Sequence, residues 1–401
     1  MKNIFKLLAF LPLLTACDDL FESALENNRD LEAMYKEPSY AQGILANAYI
    51  ILPYETSPTS DLATDDAVTN EISSNYLRMA TGSWTANNNP VSQWQNRFNA
   101  IQYINLFLEN VDKVEWAKDE RISTMFLDRL KGEAYGLRAL HMYYLLRAHG
   151  GKIADGTLMG VPIILKSEGP DADFNHARAT YSDCVKQIME DADKAIELLP
   201  LDYKKFADSE IPEKYKNIGV TNASDYRRVC GEEYRGLMSG RIALAVRAQT
   251  ALLAASPAFQ SGSGMTWEQA ADYAAEIIEK ANGGGGCGLD ADGLEWYTLA
   301  DKDYGTGGSP AEVIWRSSTD DNNTLETANF PPSLYGNGRV NPTQNLVDAF
   351  PMANGYPISE TSGNYDAENP YDNRDPRLAK YIVYNLSLIH ISEPTRLQLI
   401  S

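Results

Sequence analysis

A glycosidase-type acid/base pair needs two carboxylates held at a fixed separation. Asp61, Asp65 and Asp66 fall in one polar stretch of this chain, and Asp320 and Asp321 in another. Nothing in their spacing sets a distance between any two, so we read each as solvated loop charge. Metal chemistry is no better served. The histidines are His141, His149, His176 and His390, and the first two are eight residues apart rather than at the i, i+4 step of a helical zinc pair. Asp290-Ala291-Asp292-Gly293 echoes the start of a calcium loop but lacks the later ligands. Residues 283–288, GGGGCG, formally satisfy GxGxxG, yet they follow a helical pattern and enter a loop, the reverse of a dinucleotide site. With no GxSxG elbow and no P-loop, the spacings give no catalytic residue, no metal site and no cofactor.

The aromatics suit binding instead. A sugar ring has an apolar C–H face and a rim of hydroxyls, so a site for it pairs a flat aromatic with short amides and carboxylates. Trp84, followed by Asn87, Asn88 and Asn89, has that composition in a loop. Trp296 with Tyr297, after the glycine run, is a second candidate, and Tyr304 and Tyr335 are further ones. Trp94, Trp267 and Trp315 fall on helix or strand faces and are expected in the core.

The elements that must hold these loops are helices. Residues 132–165, GEAYGLRALHMYYLLRAHGGKIADGTLMGVPIIL, are the centre of the pattern. Leu130, Ala134, Leu137, Tyr144, Leu145 and Ala148 recur at three- and four-residue steps and form one buried stripe. Gly132 and Gly136 weaken an exposed helix, so they predict close approach by another helix. Gly150 and Gly151 predict a left-handed stop, and residues 160–165 a short strand or extended run. A first helix is expected over 38–54, and 55–89 reads as loop. Helical periodicity returns at Trp94, Phe98, Ile101, Asn105, Leu108 and Val111. Thr180 to Asp183 resembles a capping box for a helix that Pro200 stops. Ser239 caps a helix ended by Pro257, and Thr266-Trp267-Glu268-Gln269 is a full capping box for a helix reaching about residue 282. Alanine-rich contact faces and neighbouring helices predict a mostly α scaffold of tetratricopeptide-type pairs with long loops and a few short strands, among them residues 313–315. Beyond Gly283 glycine, proline, asparagine and aromatics rise and helical periodicity fades.

The ends read differently. Lys2 and Lys6 precede an apolar run over 7–14, too short to span a bilayer as a helix. Leu14-Thr15-Ala16-Cys17 then resembles a bacterial lipoprotein cleavage box, so residues 1–16 are expected to be a signal peptide. Cys17 would carry a thioether-linked diacylglycerol and an amide-linked acyl chain, and several chains anchor far more firmly than one. At the other end, residues 387–396, SLIHISEPTR, are what TCT CTT ATA CAC ATC TCC GAG CCC ACG AGA encodes, and that string resembles a sequencing adapter. We expect 387–401 to be adapter-derived and 17–386 to be one domain lacking its natural C-terminal part. A formal charge of -20 argues against nucleic acid and suits a neutral ligand. Of four cysteines, Cys184, Cys230 and Cys287 remain once Cys17 is acylated, an odd set without CxxC spacing that reads as buried or free thiols.

The segment GEAYGLRALHMYYLLRAHGG followed by GVPIIL resembles the central signature of the SusD/RagB family of outer-membrane glycan-binding lipoproteins of Bacteroidota. Residues 341–358, NPTQNLVDAFPMANGYPI, and 371–378, YDNRDPRL, resemble two later segments of that family in the same order. Asp18 and Asp19 resemble its surface-export signal. The resemblance implies a SusD-like fold and non-catalytic binding of a glycan at the cell exterior. It also implies delivery to a SusC-like TonB-dependent transporter, with Trp84 and the following asparagines contributing to the sugar platform. Two alternatives stay open, a lipid-anchored glycoside hydrolase using loop carboxylates and a SusD-like protein that binds peptide or glycopeptide.

Overall fold

A computed structural model describes residues 32–53, 60–85, 87–281, 313–315 and 322–384. In chain order its main elements are α1 (Pro38–Ile50), β1 (Ala67–Thr69), α2 (Asn75–Ala80), α3 (Trp94–Asn110) and α4 (Glu120–His149). Then come β2 (Gly151–Lys152), β3 (Leu158–Met159), α5 (Tyr181–Leu198), α6 (Ala223–Cys230), α7 (Gly240–Ala255) and α8 (Trp267–Ala281). The late part holds α9 (Thr324–Asn329), β4 (Val340–Pro342), α10 (Gln344–Ala349) and α11 (Pro376–Tyr381). It is the mostly α architecture that the stripes predict.

The long helices pack in series. α1 lies on α3, α3 on α4, α4 on α5, α5 on α7 and α7 on α8. One core runs through the array, from Met34 and Leu45 through Ile101, Phe107, Leu137 and Leu145 to Ile188 and Ala243. Small residues set the spacing. A Cβ added to Gly132 would lie 2.6 Å from Leu199 Cγ, and one on Gly136 2.6 Å from Met238 Cγ and 3.3 Å from Ala195 Cβ. The close approach predicted for both glycines is therefore present.

Caps define where the helices start. Thr180 accepts from Asp183 N, Ser239 from Ile242 N, and Thr266 and Gln269 exchange hydrogen bonds at 3.1 and 2.9 Å. The stop of α4 differs from expectation. Gly150 has φ -73, ψ 148, and neither it nor Gly151 is left-handed. Glycine is needed at Gly150 for room, since a Cβ there would sit 2.6 Å from Leu146 O and 3.0 Å from the Tyr181 ring.

Buried polar groups bolt the array together. Arg138 donates to both carboxylate oxygens of Asp191, at 2.7 and 2.8 Å, and to Asn105 Oδ1 at 3.0 Å. Asn105 in turn donates to the carbonyls of Ile164 and Lys166, so α3, α4, α5 and the extended run share one network. Just before that run Leu158–Met159 forms a strand that pairs with β2, while residues 160–165 are extended and bonded to Ala179 through Gly160 and Val161. Val313-Ile314-Trp315 forms no strand. The Trp315 indole instead reaches over to donate to Gly236 O at 2.8 Å.

In the late part Arg374 is a buried clamp, donating to the carbonyls of Pro370, Val347 and Phe350. It ties the two late segments together above a small core of Val347, Leu378 and Ile382. Cys184 and Cys230 are buried free thiols, and burial pushes Cys230 up to about 12. No described helix is long and apolar enough to cross a membrane.

Candidate functional site

The predicted loop 55–89 is not structureless where it is described. A turn at Ser60–Ala63 packs against α2, and β1 pairs antiparallel with β4, Thr69 opposite Val340. The pairing joins the early loop to the late part of the chain. Thr343 N donates to Asp66 O at 2.8 Å, and the Thr343 hydroxyl donates to Asp65 O. The same hydroxyl caps α10 by accepting from Leu346 N. Asn70 Nδ2 donates to Asn337 O at 3.0 Å and Asn70 Oδ1 accepts from Arg339 at 3.2 Å.

Trp84 is presented by the end of α2. Ser74 caps the helix, Gly82 turns it off with φ +68, and Ser83 N returns to Arg78 O at 2.9 Å. A small hairpin then closes through Thr85 N to Asn88 O at 3.4 Å and Asn88 N to Thr85 O at 3.0 Å. Trp84 stands at the base of this hairpin, 47% exposed, and among the described residues its indole N–H has no hydrogen-bond partner. The side chains of Asn87 and Asn88 are exposed and likewise unbonded among the described residues, whereas Asn89 is used to hold Val91 N.

Tyr335 lies in the segment that leads into β4. It ends the one-turn helix Pro332–Leu334 in a left-handed conformation, φ 64 and ψ 18, which is costly for a tyrosine. Its side chain is 81% exposed. Backbone bonds from Asn337 N to Thr327 O and from Arg339 N to Ala328 O fold the segment over α9. The β1–β4 pairing links the early segment that carries Trp84 to the late segment that carries Tyr335. Trp296, Tyr304 and Cys17 lie outside the described residues.

Two other aromatics depart from the core role expected of them. Trp94 is 42% exposed and Trp267 51% exposed. Each is the first residue of its helix, so its ring overhangs the end. Trp94 packs edge-on against Phe98 and His149 at 4.9 and 5.4 Å.

Neither central histidine is arranged for catalysis or ligation. His141 Nδ1 accepts from Arg97 at 3.1 Å and Nε2 meets Ala48 O at 3.1 Å, which fixes the Nε2–H tautomer, since arginine only donates. Burial, reinforced by Arg97, lowers His141 to about 3. His149 Nε2 accepts from Gln93 N at 3.0 Å, and burial followed by Arg178 lowers it too. Among the described residues no three His, Cys, Asp or Glu side chains gather as a metal site. An apolar groove of about 390 Å³ lies elsewhere, between α5, α7 and the end of α8, lined by Leu199, Leu244 and Lys280 among others.

Sequence reasoning missed Asn70, Arg339 and the exposed Ile72. No local signal marks them, because Asn70 meets its partners 267 and 269 positions away.

An exposed indole can hold a flat apolar face, and the exposed amides of Asn87 and Asn88 follow it closely in the chain. A family model described as "starch-binding associating with outer membrane" matches residues 25–214, and a second, described as the SusD family, matches 311–392. No curated protein matches the chain. A SusD-like protein from Bacteroides fragilis superposes with a TM-score of 0.62 at 18% identity, covering 89% of this chain and 62% of its own. A SusD-like carbohydrate binding protein from the same species gives 0.58 at 19% identity, covering 88% of this chain and 60% of its own. A SusD superfamily protein from Bacteroides vulgatus gives 0.54 at 18% identity, covering 78% and 62%. The chain therefore spans about three fifths of the length of these structures, and at such identity the likeness is one of fold.

Proposed function

This chain belongs to the SusD/RagB family, and from that membership we propose that it captures an oligosaccharide or polysaccharide at the outer face of the outer membrane without transforming it. It then passes the glycan to a SusC-like TonB-dependent transporter. Cys17 carries the lipid anchor, and residues 17–386 form a single SusD-like domain. The glycan is suggested by the description of the family model over 25–214 and by the carbohydrate-binding relative of the same fold.

One observation carries the reading. Trp84 is half exposed, its indole N–H is unbonded among the described residues, and two free asparagine amides sit beside it. A half-exposed tryptophan with no hydrogen bond or ring contact among the described residues is available as a surface for something else. Tyr335, 81% exposed in the late segment that pairs with the early loop, is a further candidate for it. Trp296 and Tyr304 remain candidates for it by composition.

The test is a glycan array probed with the purified chain, Cys17 replaced by serine, beside the Trp84→Ala variant. Binding of one glycan class by the parent and its loss in the variant is the expected result. Reducing ends released steadily from the same glycans would overturn the non-catalytic reading. Outer-membrane pull-downs that recover no TonB-dependent barrel would count against delivery. A peptide-binding reading has one observation in its favour, since Ile72 is 89% exposed on the same body and suits an aliphatic side chain better than a sugar. Free oligosaccharide that fails to displace a bound peptide would favour that alternative.

A further inference from the structure

We infer that the ligand of the β1–β4 body is an uncharged glycan, and that uronate and sulfated polymers are rejected there. The inference rests on the function proposed above and names the class of glycan.

The body comprises residues 60–93 and 322–343. It carries the carboxylates of Asp61, Asp65, Asp66, Glu71 and Glu326 against the cations of Arg78 and Arg339, with no lysine. Asp61, Asp65, Glu71 and Glu326 are exposed. None of the five carboxylates forms an ion pair with a described residue.

The helical array, by contrast, matches several of its acids. Lys131 pairs with Asp112 at 2.5 Å, Arg241 with Asp202 at 2.6 Å, and Arg247 with both Asp193 and Glu276. Part of the array's charge is thus neutralised locally, whereas in the loop body the Glu71 carboxylate accepts from the Ser73 hydroxyl at 3.3 Å.

An anionic glycan needs the opposite arrangement. Carboxylate and sulfate groups are held by arginine forks or lysines that replace their water. Here one of the two arginines, Arg339, is already committed to Asn70. The remaining Arg78 would stand alone against five carboxylates and a chain of formal charge -20. Every uronate added along a polymer would meet the same repulsion. Neutral sugars gain from this surface, because their hydroxyls donate to open carboxylates and to the Asn87 and Asn88 amides while a ring face lies on Trp84.

The experiment uses the full chain with Cys17 replaced by serine. Neutral α- and β-glucans, mannan and xylan are immobilised beside polygalacturonate, alginate and chondroitin sulfate, at low and at raised salt. We expect at least one neutral polymer to bind about tenfold or more above every anionic one at low salt, where surface charge acts over about 10 Å or more. That margin should shrink when salt is raised. The Asp61→Asn/Glu71→Gln variant should admit anionic polymer more readily at low salt. Tighter binding of an anionic polymer, weakening as salt rises, would overturn the inference and leave glycan capture standing. Retention of neither class would sink both.

Discussion

The helical array and the β1–β4 body solve opposite problems with the same chain. In the array, side chains are used up. Arg138, Asp191 and Asn105 satisfy one another, Gly132 and Gly136 let helices touch, and each acidic surface side chain named above has a cation beside it. In the β1–β4 body side chains are left over. Leu62 and Ala67 are its buried apolar anchors, while Trp84, Tyr335, Ile72, Asn87 and Asn88 face outward with little to hold them. A stiff scaffold presenting an unsatisfied surface is what recognition by loops requires. The difference predicts that stability and binding can be damaged separately.

The largest effect should come from breaking the array's central bolt. Arg138→Met strands the Asp191 carboxylate in the core and should cost about 3–5 kcal/mol, read as a shift in the denaturant midpoint. Replacing Asp191 by leucine in the same molecule should recover much of that loss, because the cost lies in the unpaired charge rather than in the missing pair. A small change in the single variant would mean that water reaches the network, and the contrast with the loop body would weaken.

His141 gives the array a pH dependence of its own. Its folded pKa, about 3, lies below its ordinary value of 6.5 because burial and Arg97 oppose the charged form. The unfolded chain therefore takes up a proton that the folded one refuses as pH falls from about 6.5. Stability present above that pH is lost progressively down to about pH 3, by up to a few kcal/mol at roughly 1.4 kcal/mol per unit. Thermal melts of the parent and of His141→Gln should diverge in slope across that window. Parallel curves would mean that His141 protonates in place.

The glycines test packing with an internal control. Gly132→Ala drives a Cβ into Leu199 and should cost about 1–3 kcal/mol. Gly43→Ala, in α1 with nothing within 4 Å of the new carbon, should instead stabilise by about 0.5–1 kcal/mol. Effects of the same sign at both positions would show that helix propensity rather than contact governs the array.

The two regions also differ in how far they could be read in advance. The caps at Thr180, Ser239 and Thr266 were legible because each is a contact between residues three positions apart. Gly132 and Gly136 were legible because a helix tolerates glycine poorly without a reason. Gly150 was misread, since the conformation of a stop depends on where the next segment goes, here under Tyr181. Trp94 and Trp267 were misread because a helical stripe does not show that its first residue overhangs the end. The pairing of β1 with β4 was out of reach. Each strand is three residues long, and the register that joins them is fixed by partners such as Asn70 and Asn337 far apart in the chain. Trp84 was legible as a candidate by composition alone, because a lone tryptophan among asparagines has no stripe to join.

That leaves the substitution expected to matter least to the fold and most to the ligand. Among the described residues the Trp84 side chain makes no hydrogen bond and no ring contact, so Trp84→Ala should change stability by no more than about 0.5 kcal/mol. Stacking against an exposed indole is nonetheless a large part of what a neutral sugar gains on such a surface, and its loss should weaken binding by about tenfold or more, since 1.4 kcal/mol is a factor of ten. Calorimetric titration and denaturation on the same preparation separate the two. A variant that binds as well as the parent would move the ligand off the β1–β4 body altogether. A variant that binds poorly and melts several degrees lower would show that the indole supports its hairpin, and that the two regions are less independent than their contacts imply.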